Sequence, residues 1–428
     1  MHELTKLIKD DMKPALGVTE PGAIAFAVSK ARSYTTGSVS RVRVVLNSGM
    51  YKNAFTCGIP NSPEFGNVFA AALGVVAGDA DKGLEALAEV SPADNDLAGE
   101  LINQGKVAVM LGEITSRIFI EAMVETPADK AVVTIRDAHT NIVKIEVNGE
   151  VIFTSEEFRQ ETDEAEDQVP LIHRYSLKQL YDYIISVDAG EISFIRAAYE
   201  VNNRLFQEGL DNPRTTFARH LFKLNGSQII SADEQATASL LCNAAIEARV
   251  IGLDQPAMSI TGSGAHGIIA TMPLYAAYKV NGYTIDQLLR ATALSYLVCM
   301  YIKEYSGKLS AFCGCAIAAG TGMACGLVYL RGGDVRAMAA AINNMASSIT
   351  GMICDGGNQG CTMKGIAAVD AAYKSVEFAV NGIYIDNIHG INGGTPEETM
   401  KNMGLIASPG MTGTEKTIVE IFENKNQR

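Results

Sequence analysis

The chain has 428 residues, 47% hydrophobic and 19% charged, enough to bury a large core in two or three domains and too apolar for disorder. Its formal net charge of −13 argues against nucleic acid as a partner. The first twelve residues are charged and helix-like, without the apolar core of a secretory signal. That points to the cytoplasm, where cysteines bind metal or catalyse more often than they form disulfides.

Residues 3–13 read as a first helix, broken at Lys13-Pro14. Thr19-Glu20-Pro21-Gly22 reads as a turn into a second helix over about 22–34, with Pro21 suited to a first helical turn. Residues 40–46 alternate Val and Arg, the pattern of a half-buried strand. Residues 50–65, with Cys57, Pro60 and Pro63, read as a loop. Small-residue helices follow at about 66–77, 82–90 and 93–104. The pattern then turns β-rich, with strands at 107–110, 117–125, 131–136, 142–147 and 151–153. Asn148-Gly149 is a hairpin signal, and antiparallel pairing follows from it.

Residues 154–169 are acidic and read as a solvated linker or exposed loop. From 175 onward the chain is mostly helical, with long segments near 176–187, 190–209, 231–251, 285–304, 315–330, 334–350 and 362–379. Residues 309–330 carry no charge but hold four Gly and three Cys, which suits a buried core helix better than a membrane span. The fold class is therefore α+β. An N-terminal helix and antiparallel sheet occupy residues 1–155, and an acidic segment covers 156–174. A large all-helical part over 175–428 completes the chain, and the N-terminal helices are free to pack with it.

Two cysteine clusters carry the chemistry: Cys313-Gly-Cys315, and Cys354 and Cys361 flanking Asp-Gly-Gly-Asn-Gln-Gly. Glycine-rich loops let a backbone wrap an inorganic centre, and three thiolates from two loops suit an iron–sulfur cluster with one iron open. Cys361 falls at a helix start, where the dipole favours a thiolate. Zinc is the competing metal, although its paired spacings are shorter and it needs a fourth ligand. Cys242, Cys299 and Cys325 lie in apolar runs and read as packing residues.

Gly262, Gly264 and Gly267 match G-x-G-x-x-G, but the surroundings are helical and lack repeated strand–helix units. The loop reads either as a tight turn or as an anion site. In the second case backbone N–H groups and the Ser263 hydroxyl bind a carboxylate and His266 carries a proton. Lys52 beside Asn53 is a carboxylate-binding candidate or an ordinary surface lysine. His139, in Asp137-Ala-His-Thr-Asn141, reads first as turn chemistry.

Gly17-x-Thr19-Glu20-Pro21, Lys52-Asn53 with Ile59-Pro60, Gly262-Ser-Gly-x-His-Gly267, Ser310-Ala-x-Cys-Gly-Cys-Ala and Met352-Ile-Cys-Asp-Gly-x-x-x-x-Cys361 occur in this order. Together they resemble the L-cysteine desulfidase family, including its uncharacterised bacterial members. That family is similar over its helical part to the alpha domain of iron–sulfur L-serine dehydratases. The resemblance implies a [4Fe–4S] cluster on Cys313, Cys354 and Cys361, with Cys315 the alternative to Cys313. It implies a fourth iron open to a small amino-acid substrate, and α,β-elimination to a 2-oxo acid and ammonia without pyridoxal phosphate. Thr19, Glu20, Asn53, Gly262, Ser263 and Gly264 are then substrate-binding candidates. A homodimer is the default assembly, with no membrane or nucleic-acid partner. One departure matters: the family's proposed base, a cysteine before Thr-Glu-Pro, is Val18 here. His266 and Lys52 are the candidate replacements. The other outcome is a metal-binding or sensor protein that has lost its base.

Overall fold

The computed structural model describes residues 1–156, 169–307 and 309–426. Helix α1 (Glu3–Asp11) buries Leu4 and Ile8, one turn apart on its apolar stripe. Strand β1 (Lys13–Leu16) follows directly, where the sequence suggested a simple break. Helix α2 (Thr19–Arg32) takes Thr19–Gly22 as its own first turn, so the helix starts earlier than position 22. Pro21 is accommodated there because first-turn N–H groups have no helical acceptor.

Strand β2 (Arg41–Leu46) alternates as expected, turning Val42, Val44 and Leu46 inward. Helix α3 (Ser48–Ala54) occupies part of the expected 50–65 loop, and tertiary burial rather than propensity explains it: nearly every residue in it is buried. Helices α4 (Asn67–Val76) and α5 (Pro92–Asn103) follow, the latter closed by a Ser91–Asp94 capping box. Between them the expected 82–90 helix is replaced by a short 3₁₀ segment, Ala80–Glu85, interrupted by non-helical Gly83.

Strands β3 (Val107–Leu111), β4 (Phe119–Glu125), β5 (Lys130–Arg136), β6 (Ile142–Val147) and β7 (Glu150–Thr154) complete a six-stranded sheet of order β3-β2-β4-β5-β6-β7. Its pairs are antiparallel except β2–β3, which run parallel because α3, α4 and α5 cross between them. Asn148 and Gly149 both have positive φ, as the β6–β7 hairpin requires. Helix α2 packs between this sheet and α4, which explains why it is buried all round.

Residues 157–168 of the expected acidic segment lie outside the described residues, and 171–174 form a 3₁₀ turn. Helices α6 (Leu177–Ser186), α7 (Arg196–Asp211), α8 (Phe217–Leu224) and α9 (Glu234–Val250) then lead to strand β8 (Pro256–Ser259). Strand β8 pairs antiparallel with β1 and so fastens the N-terminal segment to the helical part. Helix α10 (Gly264–Asn281) follows, a long helix the sequence hid behind three glycines and Pro273. Next come α11 (Ile285–Ser306), a π turn at Cys315–Ala319, and α12 (Gly320–Leu330). The uncharged run 309–330 is thus core, and no helix among the described residues is long and apolar enough to cross a membrane. Helices α13 (Val335–Ile349), α14 (Gly360–Val380), α15 (Pro396–Leu405) and α16 (Thr412–Asn426) complete the chain, with α16 packed on α3.

Helix α10 packs on β8 at backbone contact. A Cβ on Gly267 would lie 1.8 Å from the Met258 carbonyl oxygen. Gly267→Ala therefore has to push α10 off the strand, and it should destabilise the protein by about 2 kcal/mol. Chemical denaturation of the two proteins measures this; an unchanged midpoint would show that the contact yields freely.

Candidate active site

The two cysteine loops are bonded to each other by backbone. Phe312 and Ile353 form an antiparallel bridge, Cys313 N–H donates to Met352 O (3.0 Å) and Cys354 N–H to Ala311 O (2.6 Å). Lys52, from α3, locks the joint. Its ammonium donates to Ser310 O (3.2 Å) and Cys354 O (2.9 Å) and lies 3.5 Å from a Glu415 carboxylate oxygen on α16. Burial disfavours that charge, but the fields of Cys354 and Glu415 outweigh it and push the lysine pKa above its ordinary value. Gly357 N–H donates to Asn53 O (3.0 Å), seating the second loop on α3. Gly356 has φ +103°, and a Cβ there would meet Lys52 O at 2.5 Å, so this position demands glycine.

All eight cysteines are thiols, and Cys313, Cys315, Cys354 and Cys361 gather at this joint. A hydrogen bond between Cys313 and Cys315 is the largest influence on both. It raises Cys313, together with burial and the charges of the other three thiols. It lowers Cys315, helped against burial by a hydrogen bond and charge from His266 and by the charge of Arg249. Burial, then the charges of Cys315 and Cys354, push Cys361 up to about 12. Cys315 and Cys354 thus act on both Cys313 and Cys361. Lys364 stands against the group, its own pKa raised by Cys361, Cys354 and Cys313 despite burial. Among the described residues no three His, Cys, Asp or Glu are arranged to hold a single metal ion. A polynuclear cluster divides its ligands among several metal atoms, and soft thiolates from two glycine-rich loops are the donors it takes. The donor set fits such a group.

Cys315 and Cys354 line a pocket of about 250 Å³, while Cys313 and Cys361 stand outside its lining. Glu20, at the second position of α2, is 5% exposed. It accepts from Asn53 Nδ2 (2.8 Å) and Thr19 Oγ1 (3.1 Å), and one oxygen lies 3.9 Å from His139 Nε2. Burial raises its pKa, but the neighbouring His139, the hydrogen bond from Asn53 and the charge of Arg249 prevail and hold it at about 2. His139, carried by the β5–β6 turn, lines the pocket, and its buried Nε2 has no hydrogen-bond partner.

The same pocket is lined by Thr261, Gly262, Ser263 and His266. The Thr261 hydroxyl bonds to Ile260 O (2.7 Å) and contacts His266 Nδ1, while His266 Nε2 faces Gly314 and the ring bonds to the Cys315 thiol. Ser263 caps α10 without a side-chain hydrogen bond, leaving the helix's first N–H groups unmatched.

The structure thus brings Thr19, Glu20, Asn53, Gly262, Ser263, His266 and Cys354 to one pocket. Gly264, the first residue of α10, stands just behind, and Lys52 lies beneath the cysteine loops, fully buried and bonded to carbonyls. Val18 is buried against the second loop: a Cβ on Gly357 would lie 2.8 Å from one of its methyls. Sequence reasoning missed Lys303, which lines the pocket and donates to Gly307 O (2.8 Å), and Arg249, buried behind Gly264. Their signal was a basic residue inside an otherwise apolar helical run.

Glu20 stays ionised in the folded protein down to about pH 2, whereas its ordinary pKa is 4.5. Its stabilisation is present above pH 4.5 and is lost as pH falls toward 2, because the unfolded chain takes up the proton first. The full loss is on the order of 3 kcal/mol. Denaturation curves from pH 6 to 3 should show this slope in the wild type and a shallower one in Glu20→Gln.

A family model, serine dehydratase alpha chain, matches residues 82–420, which include all four of these thiols, the α10 loop and the first part of α16. A UPF0597 protein of Clostridium botulinum is 38% identical over 426 residues, 98% of each chain. Another, from Caldanaerobacter subterraneus subsp. tengcongensis, is 38% identical over 422 residues, covering 99% of this chain and 98% of the relative. A third, from Clostridioides difficile, is 31% identical over 424 residues, 99% of both. With the cysteine loops and the anion-type loop facing one pocket, the match assigns this chain to the serine dehydratase alpha chain family.

Proposed function

We propose that the protein is an iron–sulfur lyase that eliminates the β-substituent of a small amino acid of the L-serine or L-cysteine type, releasing a 2-oxo acid and ammonia. The observation that carries this reading is the meeting of two bonded cysteine loops, two of whose four thiols line the pocket, with an uncapped helix start in the same pocket wall. Cys354 and Cys361 supply two thiolate ligands, and the Cys313–Cys315 pair supplies the third. When bound, the cluster supplies a Lewis-acidic iron that polarises the leaving group.

The protein's own residues do the rest. The N–H groups at the start of α10, with Ser263, receive the carboxylate. Glu20, held ionised by Asn53 and His139, faces the substrate ammonium. His266, in the pocket wall, is the base that takes the Cα proton. Loss of that proton and departure of the β-group with its electron pair leave an aminoacrylate, which water converts to the 2-oxo acid and ammonia. Val18 cannot take part, so His266 is assigned the role that the desulfidases give a cysteine base. Lys52 is left out of the chemistry because its ammonium is committed to two carbonyls.

A non-catalytic metal-binding role is the second reading, and Val18 against the cysteine loop is what favours it. Anaerobic reconstitution with iron and sulfide separates the two. The lyase reading expects visible iron–sulfur absorption, its loss in Cys354→Ala, and ammonia and 2-oxo acid release from L-serine, L-cysteine or L-threonine. Comparing Cys313→Ala with Cys315→Ala identifies the third ligand by which variant fails to load. His266→Gln should load normally yet turn over about 10²–10⁴-fold more slowly. A protein that takes up no iron sinks both readings; one that loads but releases nothing favours the second.

A further inference from the structure

Arg249 lies near the end of α9, 4% exposed, with its side chain against Gly264. A Cβ added to Gly264 would lie 2.7 Å from Arg249 Nε and 3.2 Å from its Cδ. Its Nε is buried and has no hydrogen-bond partner among the described residues. The nearby acids are engaged elsewhere. Glu247, two residues away, accepts the N–H groups of Thr216 (2.8 Å), Phe217 (3.2 Å) and Ala218 (2.8 Å) at the start of α8. Glu20 and Cys315, whose ionisation Arg249 favours, bond instead to other groups, Glu20 to Asn53 and Thr19 and Cys315 to Cys313 and His266.

A buried unpaired cation is costly and destabilises a fold unless something pairs it. This one stands directly behind the uncapped start of α10, an eighteen-residue helix whose first N–H groups also lack side-chain acceptors. Two independent sources of positive potential therefore converge on the wall formed by Gly262 and Ser263.

We propose that Arg249 is the fixed countercharge of a preformed carboxylate subsite at the start of α10. The proposal deepens the lyase reading, since it names what that wall recognises, but it concerns an anion site that needs no cluster. Glu20 and Asn53 stand across the same pocket and suit the ammonium end, so the ligand class is a zwitterionic α-amino acid. Gly264 is required because any side chain there would displace the guanidinium.

The test uses the full chain as purified, before any reconstitution. Thermal melts and calorimetric titrations are run with L-serine, L-cysteine, propionate and L-serinamide, at matched chloride. The carboxylates should raise the melting midpoint, and L-serinamide should not. Arg249→Met should weaken carboxylate binding about tenfold or more, while melting no lower than the wild type without ligand. Arg249→Lys, which keeps the charge, should retain binding within a few-fold. The proposal is overturned if Arg249→Met fails to fold or melts lower, because the guanidinium is then a structural member. It is equally overturned if that variant binds carboxylates as tightly as the wild type, or if the wild type ignores carboxylates or answers chloride and L-serinamide alike. Carboxylate binding that depends on Arg249, in a protein that loads iron but shows no turnover, would retain this subsite and reject the lyase.

Discussion

The buried ammonium of Lys52 is the constraint on which the site depends. It ties α3 to both cysteine loops through two carbonyls and to α16 through Glu415. A backbone carbonyl accepts such a bond without contributing charge, so the lysine orients the loops while leaving the thiols available. The bridge between Phe312 and Ile353, the seating of Gly357 on Asn53 and the glycine at 356 all follow from loops drawn together over one cation. Removing that cation would leave Glu415 buried with neither oxygen hydrogen-bonded.

Around that joint the electrostatics are divided into sectors. Four thiols occupy one side, with Lys52 and Lys364 placed against them. The α10 start and Arg249 make the second side positive. Glu20, kept ionised against the cost of burial, makes the third negative. A net charge of −13 for the whole chain says nothing of this arrangement, which is set by which charges are buried and which are paired. The β5–β6 turn completes the enclosure by bringing His139 from the sheet to the α10 loop.

Elements with a clear period were legible in the sequence. The alternation in β2, the Asn148-Gly149 hairpin and the amphipathic α6 all announced themselves. Helix α10 did not, because it is buried on every side and so has no apolar stripe, and because its glycines and Pro273 argue against a helix. Those glycines are required by packing: Gly267 lets the helix touch β8 and Gly264 makes room for Arg249. Helix α3 was hidden for the same reason, since Lys52 looks like a surface residue until the carbonyls around it are known. The short pair β1–β8 joins segments far apart in sequence, and no local pattern announces such a contact. The cysteine spacing marked two loops that the fold does bridge, while the charged residues around them had no spacing to betray them.

The Lys52–Cys354 hydrogen bond spans 302 residues, and the pairing with Glu415 spans more. Contacts of that range close late, after the intervening chain has been made and has collapsed. The two cysteine loops therefore reach their final geometry only when most of the polypeptide is already folded. Until then the thiols have neither their neighbouring lysines nor each other, and they are open to oxidation and to stray metal. Cys315 and Cys354, the two of these thiols that line the pocket, are the ones a group arriving from that side meets first.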